Sequence, residues 1–337
     1  MTSFSAWRDG IRRVNRAPAI LAGVWALTVL VSLPLALGLR GMIEQHLGSS
    51  LAADTAASGV NYDWWQEFSD QATGLGVTFK PTIIGFGAVL DNASAFLDND
   101  SRPVVVVGAA SAYVLLWIFL AGGIIDRYAR DRATRAHGFF ASCGVFFFRF
   151  LRLGAVMGAT YGVLFGVLHP WLFGNLFARM TRDVTVERTA FFERVALYVA
   201  FGLLVAACNL LFDYAKVRAV VEDRRSMIGA IRSAAAFIQR NAAAAITLYV
   251  LDVVLFLVVV AVYALVAPGA STSGWSTWIG FAIGQGYILA RLWVKLTFWA
   301  SETALFQGRL AHAGYVAAPQ PAWPESPSAE AISRRGM

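Results

Sequence analysis

Leu153-Gly-Ala-Val-Met-Gly-Ala-Thr-Tyr-Gly-Val-Leu-Phe-Gly-Val-Leu168 carries no charge and repeats a glycine every fourth residue, at Gly154, Gly158, Gly162 and Gly166. On a helix, positions four apart stack on one face. The run therefore reads as a membrane-spanning helix with a side-chain-free groove along it. Lipid supplies little hydrophobic force between helices, so close packing on small residues supplies much of their attraction. Two readings follow: a seam between copies or a moving contact, and the central helix of a single bundle. Gly280 and Gly284 repeat the spacing once near the C-terminus, which makes that helix the expected partner.

The rest of the chain agrees with a membrane setting. It is 58% hydrophobic and only 15% charged, against about 25% charged in soluble proteins. The net charge of +7 is carried by arginine, because Lys80, Lys216 and Lys295 are the only lysines. With the abundant Ala, this usage points to a GC-rich bacterial genome. Cys143 and Cys208 are too few for a disulfide framework, and His46, His137, His169 and His312 show no metal-ligand spacing.

Read outward from the ladder, the hydropathy pattern predicts an all-α polytopic membrane protein. It has about six transmembrane helices, at about 19–39, 104–125, 146–168, 195–212, 242–266 and 278–300. The apolar region after Pro18 is too long for a signal-peptide core of ~7–15 residues, so it is expected to be a retained span. Phe4, Trp7, Ile11 and Val14 share a helical face, so residues 3–16 are expected as an amphipathic helix lying in the interface. Phe139–Phe150 and the segment 213–241 read the same way. Residues 40–103 form an acidic loop in which Trp64 and Trp65 suit a membrane surface. Within it, 82–97 is apolar enough for a short interfacial or re-entrant helix, and Asp98-Asn99-Asp100 reads as a solvated acidic cluster. Residues 1–318 make one helical membrane domain, and the Pro-, Ala- and Ser-rich tail 319–337 is expected to be disordered.

Arginines crowd the N-terminus and the 126–152 and 213–241 connections, whereas 40–103 is acidic. The positive-inside rule then places both termini in the cytoplasm of a bacterial inner-membrane protein. A unit of basic elbow, span out and span back begins near residues 3, 139 and 217, which suggests three repeated helical hairpins. Arg13 and Arg16, Arg149 and Arg152, and Arg240 mark the elbows, where they are expected to meet lipid headgroups. Two returning spans end alike, in Asp126-Arg127-Tyr128-Ala129-Arg130 and Asp213-Tyr214-Ala215-Lys216; the third departs from that ending.

With three basic elbows, six spans and the run Asp213-Tyr214-Ala215-Lys216-Val217-Arg218 through Glu222-Asp223-Arg224-Arg225-Ser226, the chain resembles a group of uncharacterised bacterial membrane proteins. In layout these are broadly similar to the membrane domain of some glycerophosphoryl diester phosphodiesterases. The resemblance implies a helical membrane module and transfers no catalytic residue.

Charge at membrane depth points to function, since it costs at least ~2.5 kcal/mol on insertion scales. Asp252, Arg291 and Lys295 are the buried-charge candidates, with Asn209 and Asp213 extending the cluster. Asp252 and Arg291 are expected to meet across two antiparallel spans. The cluster reads as a structural ion pair, or as a relay or headgroup site. No phosphate-binding glycine loop, zinc motif or nucleophile triad is present in the sequence, and no soluble basic domain for nucleic acid. The expectation is a non-enzymatic membrane-organising or scaffolding protein without cofactor or metal. Its partners would be membrane lipids, further copies of itself or another membrane protein. The competing reading is a small transporter or lipid flippase using Asp252, Arg291 and Lys295.

Overall fold

The computed structural model describes residues 1–58, 61–269 and 274–310. The expected disordered tail and His312 lie outside the described residues. No strand occurs among the described residues. The helices, in order, are α1 (Ser3–Asn15), α2 (Pro18–Ser49), α3 (Ala53–Ser58), α4 (Tyr62–Gln71), α5 (Gly85–Leu97), α6 (Val104–Arg130) and α7 (Ala136–Val163), then α8 (Phe177–Met180), α9 (Glu187–Val221), α10 (Met227–Arg240), α11 (Ala242–Val266) and α12 (Trp275–Arg309).

Local chemistry sets many of these boundaries. Thr2 caps α1 by accepting from the Ser5 amide at 3.2 Å, and Pro18 opens α2, where a missing N–H costs nothing. Nothing between Leu39 and Ser49 breaks a helix, and an Arg40–Glu44 pair at 2.7 Å supports the extra turns. So α2 runs ten residues beyond its expected end at 39. Phe139–Phe150 is likewise no separate interfacial helix: with no breaker inside it, α7 passes straight through into the span. Beyond Val163 the helix widens to π geometry over Leu164–Leu168 and Trp171–Leu176 before α8. The basic stretch 213–241 is divided. Its first part completes α9, Asp223 adopts a left-handed φ of 47°, and Ser226 caps a new helix by accepting from the Gly229 amide.

Among the described residues, five stretches are long and apolar enough to cross a membrane: Pro18–Gly48, Val104–Arg130, Ala136–Met180, Glu187–Val221 and Ala242–Val266. The sixth expected span falls in α12, which has 35 residues, but Gln285, Arg291, Lys295 and Glu302 interrupt its apolar character.

The packed core lies at one end of the bundle, the end that gathers the Arg-rich junctions, here called the basic end. There α1 lies against the last turns of α12. A Cβ on Gly10 would stand 2.6 Å from the Ser301 amide nitrogen, so only glycine permits this approach. Helices α6 and α7 close in the same way, with Gly122 against Phe146 and Gly123 against the Cys143 sulfur. Tyr128, Tyr214, Phe146, Ile124, Leu248, Leu296 and Phe306 are fully buried in this core. α1 packs one face on this core rather than standing apart from it. Its buried face is Ala6, Gly10, Arg13 and Val14, while Phe4, expected on the apolar face, is exposed.

Away from the core the helices separate. Only 6% of the most apolar stretch of α2 is buried, and 17–28% in the other four spans. The glycine ladder lies in this open half. Gly154 meets Ile118, but a Cβ on Gly158, Gly162 or Gly166 would meet nothing within 4 Å. Neither expected arrangement inside one bundle holds: the ladder does not pack against α12, where Gly284 is also open and Gly280 faces Pro268.

At the opposite end, part of the acidic segment is folded. Trp64 is buried against His46, Phe68 and Phe79, and its indole N–H donates to His46 at 3.1 Å. Trp65 donates to the Phe79 carbonyl at 2.9 Å. Asp98 and Asn99 are engaged rather than merely solvated. Asp98 accepts from Tyr198, which holds its carboxyl below the usual carboxylate range, and Asn99 donates to the Phe165 carbonyl at 3.0 Å.

Candidate functional site

Polar side chains that enter the basic-end core form two adjoining groups. The first is acidic. Asp252 on α11 is fully buried and accepts from the Ser301 hydroxyl of α12 at 2.7 Å. Its second oxygen has no hydrogen-bond partner among the described residues, nor has the Trp7 indole N–H that acts on this carboxylate from α1. Glu302, the next residue of α12, is 1% exposed, and among the described residues neither carboxylate oxygen has a partner. The buried hydroxyl of Tyr214 on α9 is also unpartnered, and the field of both acids reaches it. Two carboxyls in an apolar core without a bonded cation are costly, because their desolvation is not repaid.

The second group is cationic and aromatic. Trp117 of α6 and Trp299 of α12 meet edge to face at 5.4 Å. The Lys295 ammonium stands 3.4 Å from the Trp117 ring centre and 5.8 Å from that of Trp299; Lys216 of α9 lies 5.2 Å from Trp299. A cation over an indole face at an exposed site gains about 0.5–1 kcal/mol. Asp213 binds Lys216 at 2.6 Å and accepts from the Trp299 indole at 3.2 Å. Arg291, one turn from Lys295, is exposed and covers the Tyr287 ring at 5.6 Å.

Arg291 and Asp252 do not meet. Asp252 is level with Ser301, ten residues along α12 from Arg291, or about 15 Å at ~1.5 Å per residue. The expected meeting placed the inner end of the last span at 300, whereas α12 continues to Arg309. The nine extra residues slide the two helices past each other. Asn209 joins the neighbourhood by accepting from the Tyr161 hydroxyl. Sequence reasoning missed Ser301, Glu302, Lys216 and the two tryptophans. A signal for Glu302 was there: Glu302-Thr303-Ala304 matches the acid, polar residue and alanine of Asp213-Tyr214-Ala215.

The expected headgroup arginines also divide. Arg13 is 9% exposed and donates to the Tyr128 carbonyl and Gln307, both at 2.8 Å, besides pairing with Asp9. Arg149 pairs with Asp223 at 2.5 Å. Arg16, Arg152 and Arg240 are exposed. Among the described residues no group of three His, Cys, Asp or Glu is placed to hold a metal.

Glu222, in the turn between α9 and α10, accepts from Arg218 at 2.8 Å and from Arg224. Burial opposes its ionisation, but the two guanidinium groups outweigh burial and hold its carboxyl below the usual value. A depressed carboxylate stabilises the fold above its unfolded pKa of about 4.3 and loses that effect as pH falls through the lower folded value. Glu222→Gln is therefore expected to destabilise the fold at pH 7, by about 1 kcal/mol for this partly buried network. The difference should shrink at a pH well below about 4.3, as the carboxyl protonates in the folded state too. Thermal unfolding followed by tryptophan fluorescence at both pH values checks it.

These observations define a class: a protein whose described residues are helical, with five helices among them long and apolar enough to cross a membrane, joined through a polar and aromatic core at one end. Comparison with protein-family models, with characterised proteins and with solved structures finds no match.

Proposed function

We propose that this is a non-enzymatic integral membrane protein that organises lipid or partner proteins. In this reading α12 supplies a sixth span, both termini face the cytoplasm of a bacterial inner membrane, and Arg16, Arg152 and Arg240 meet anionic headgroups. The carrying observation is the small burial of the spans, 6–28% of their most apolar stretches. Helices that touch so little of their own chain present their surface, the open glycines included, to lipid or to other protein. The layout shared with the phosphodiesterase membrane domains fits such a module, and three hairpin units around the basic-end core would be its plan.

Native mass spectrometry of the protein released in native-membrane nanodiscs tests this. Several copies, or a protein partner, carried with anionic lipid is the expected result. A lone monomer that moves protons or solutes in proteoliposomes, with the flux lost in Asp252→Asn, would overturn it. That outcome would establish the second reading, a small transporter, which Asp252 and Glu302 favour because they are buried acids without a bonded cation.

A further inference from the structure

The acidic group of the basic-end core holds polar atoms that its neighbours do not satisfy. Tyr214 on α9, Asp252 on α11 and Glu302 on α12 are each at most 1% exposed. The Tyr214 hydroxyl, one oxygen of Asp252 and both oxygens of Glu302 are shut off from solvent and have no hydrogen-bond partner among the described residues. The three side chains lie in one another's fields, and the Tyr249 hydroxyl of α11 lies in the field of both acids. Unpartnered oxygens from three helices thus share one region of the core.

Three kinds of occupant suit such a region, and they repay different costs. Water completes hydrogen bonds but leaves two buried negative charges. A proton removes a charge. Yet the Tyr214 hydroxyl finds neither acid within hydrogen-bond reach, so protonation by itself leaves polar atoms unpartnered. A cation held between the acids supplies both charge and ligand contacts. The charge count sets its valence. The two adjoining groups hold the carboxylates of Asp213, Asp252 and Glu302 and the ammonium groups of Lys216 and Lys295. One negative charge is left over, which a single monovalent ion balances. The donors agree, since carboxylate and hydroxyl oxygens are ligands of hard cations. Among the described residues no group of three His, Cys, Asp or Glu stands ready for a multivalent metal, and Asp213 is committed to Lys216 at 2.6 Å.

We propose that Asp252, Glu302 and the Tyr214 hydroxyl bind one monovalent alkali cation, which fastens α9, α11 and α12 together at the basic end. This goes beyond the lipid-organising reading and does not rest on it, because a held ion secures the core whether or not the protein gathers lipid or partners.

The test uses the full chain in detergent, with radioactive sodium as the probe and choline chloride as the ionic-strength control. Equilibrium dialysis is expected to find one saturable sodium ion per chain. Replacing choline with about 100 mM sodium should raise the unfolding midpoint by about 5 °C. Asp252→Asn and Glu302→Gln keep the shape and remove the charge, and each should abolish both the bound sodium and the shift. Tyr214→Phe should weaken binding about threefold or more. Asp98→Asn, at the opposite end of the bundle, should leave the sodium response unchanged. In choline, Glu302→Met should unfold at a higher temperature than the wild type, and sodium should narrow that gap because it binds the wild type alone. Absence of saturable sodium in the wild type, with equal midpoints in sodium and choline, would overturn the site, and this comparison needs no variant. Saturable sodium retained by both Asp252→Asn and Glu302→Gln would overturn it as well. Displacement of the sodium by micromolar calcium would overturn the monovalent assignment.

Discussion

Arg13→Ala should cost the fold roughly 3 kcal/mol, whereas Arg16→Ala should cost less than about 1 kcal/mol. The two arginines are three residues apart on the same basic elbow and look alike in sequence. Arg13 is 9% exposed and its guanidinium ties three elements together: Asp9 on its own helix, the Tyr128 carbonyl at the end of α6, and Gln307 at the end of α12. Truncation leaves a buried carbonyl and amide without their donor. Asp9 keeps Arg12 as a partner, which holds the loss at the lower end of the range for a broken buried pair. Arg16 is over half exposed, and its contact with Asp131 is 3.6 Å long. Thermal unfolding of the purified variants, with the fraction eluting as a single species, separates the two. Equal losses would mean that Arg13 is also a surface group and that the contact of α1 with α12 is not what holds the basic end together.

Glu302→Met should raise stability by about 1–4 kcal/mol. The side chain is 1% exposed with both carboxylate oxygens unpartnered, and two more acids, Asp213 and Asp252, bear on it electrostatically. The cation in range, Lys216, is bonded to Asp213. Methionine matches the length and reach of glutamate and removes the uncompensated polar group. Asp252→Ala should go the other way, by about 1–3 kcal/mol, since it removes the Ser301 hydrogen bond and leaves a void. The same unfolding assay reads both. Destabilisation by Glu302→Met would show that the carboxyl is used by the folded protein and would favour the transport reading.

The candidate site was only partly legible. Asp252, Lys295, Asn209 and Asp213 were found because ionisable or amide groups stand out in apolar runs. Their pairing is not legible, since Arg291 falls opposite Asp252 only if α12 ends at 300, and it continues to Arg309. The error is one of register: a helix end misplaced by nine residues shifts a side chain by about 13 Å. Likewise the basic elbows read as lipid-facing from their charge, but charge does not tell which arginine a neighbouring carbonyl will claim.

The sequence by itself determined that the chain is helical and built around long apolar segments. It also determined that arginine marks one end and acid the other, because periodicity, hydropathy and charge are properties of single segments. Only the tertiary structure decided which glycines matter for packing. Gly10, Gly122 and Gly123 carry the close approaches, and the conspicuous ladder at Gly158, Gly162 and Gly166 is left open. A small residue permits contact, but whether a neighbour arrives is settled by how the helices diverge from the basic-end core. The same holds for Lys295: its charge is plain in the chain, and its place on the Trp117 ring comes from packing between helices far apart in sequence.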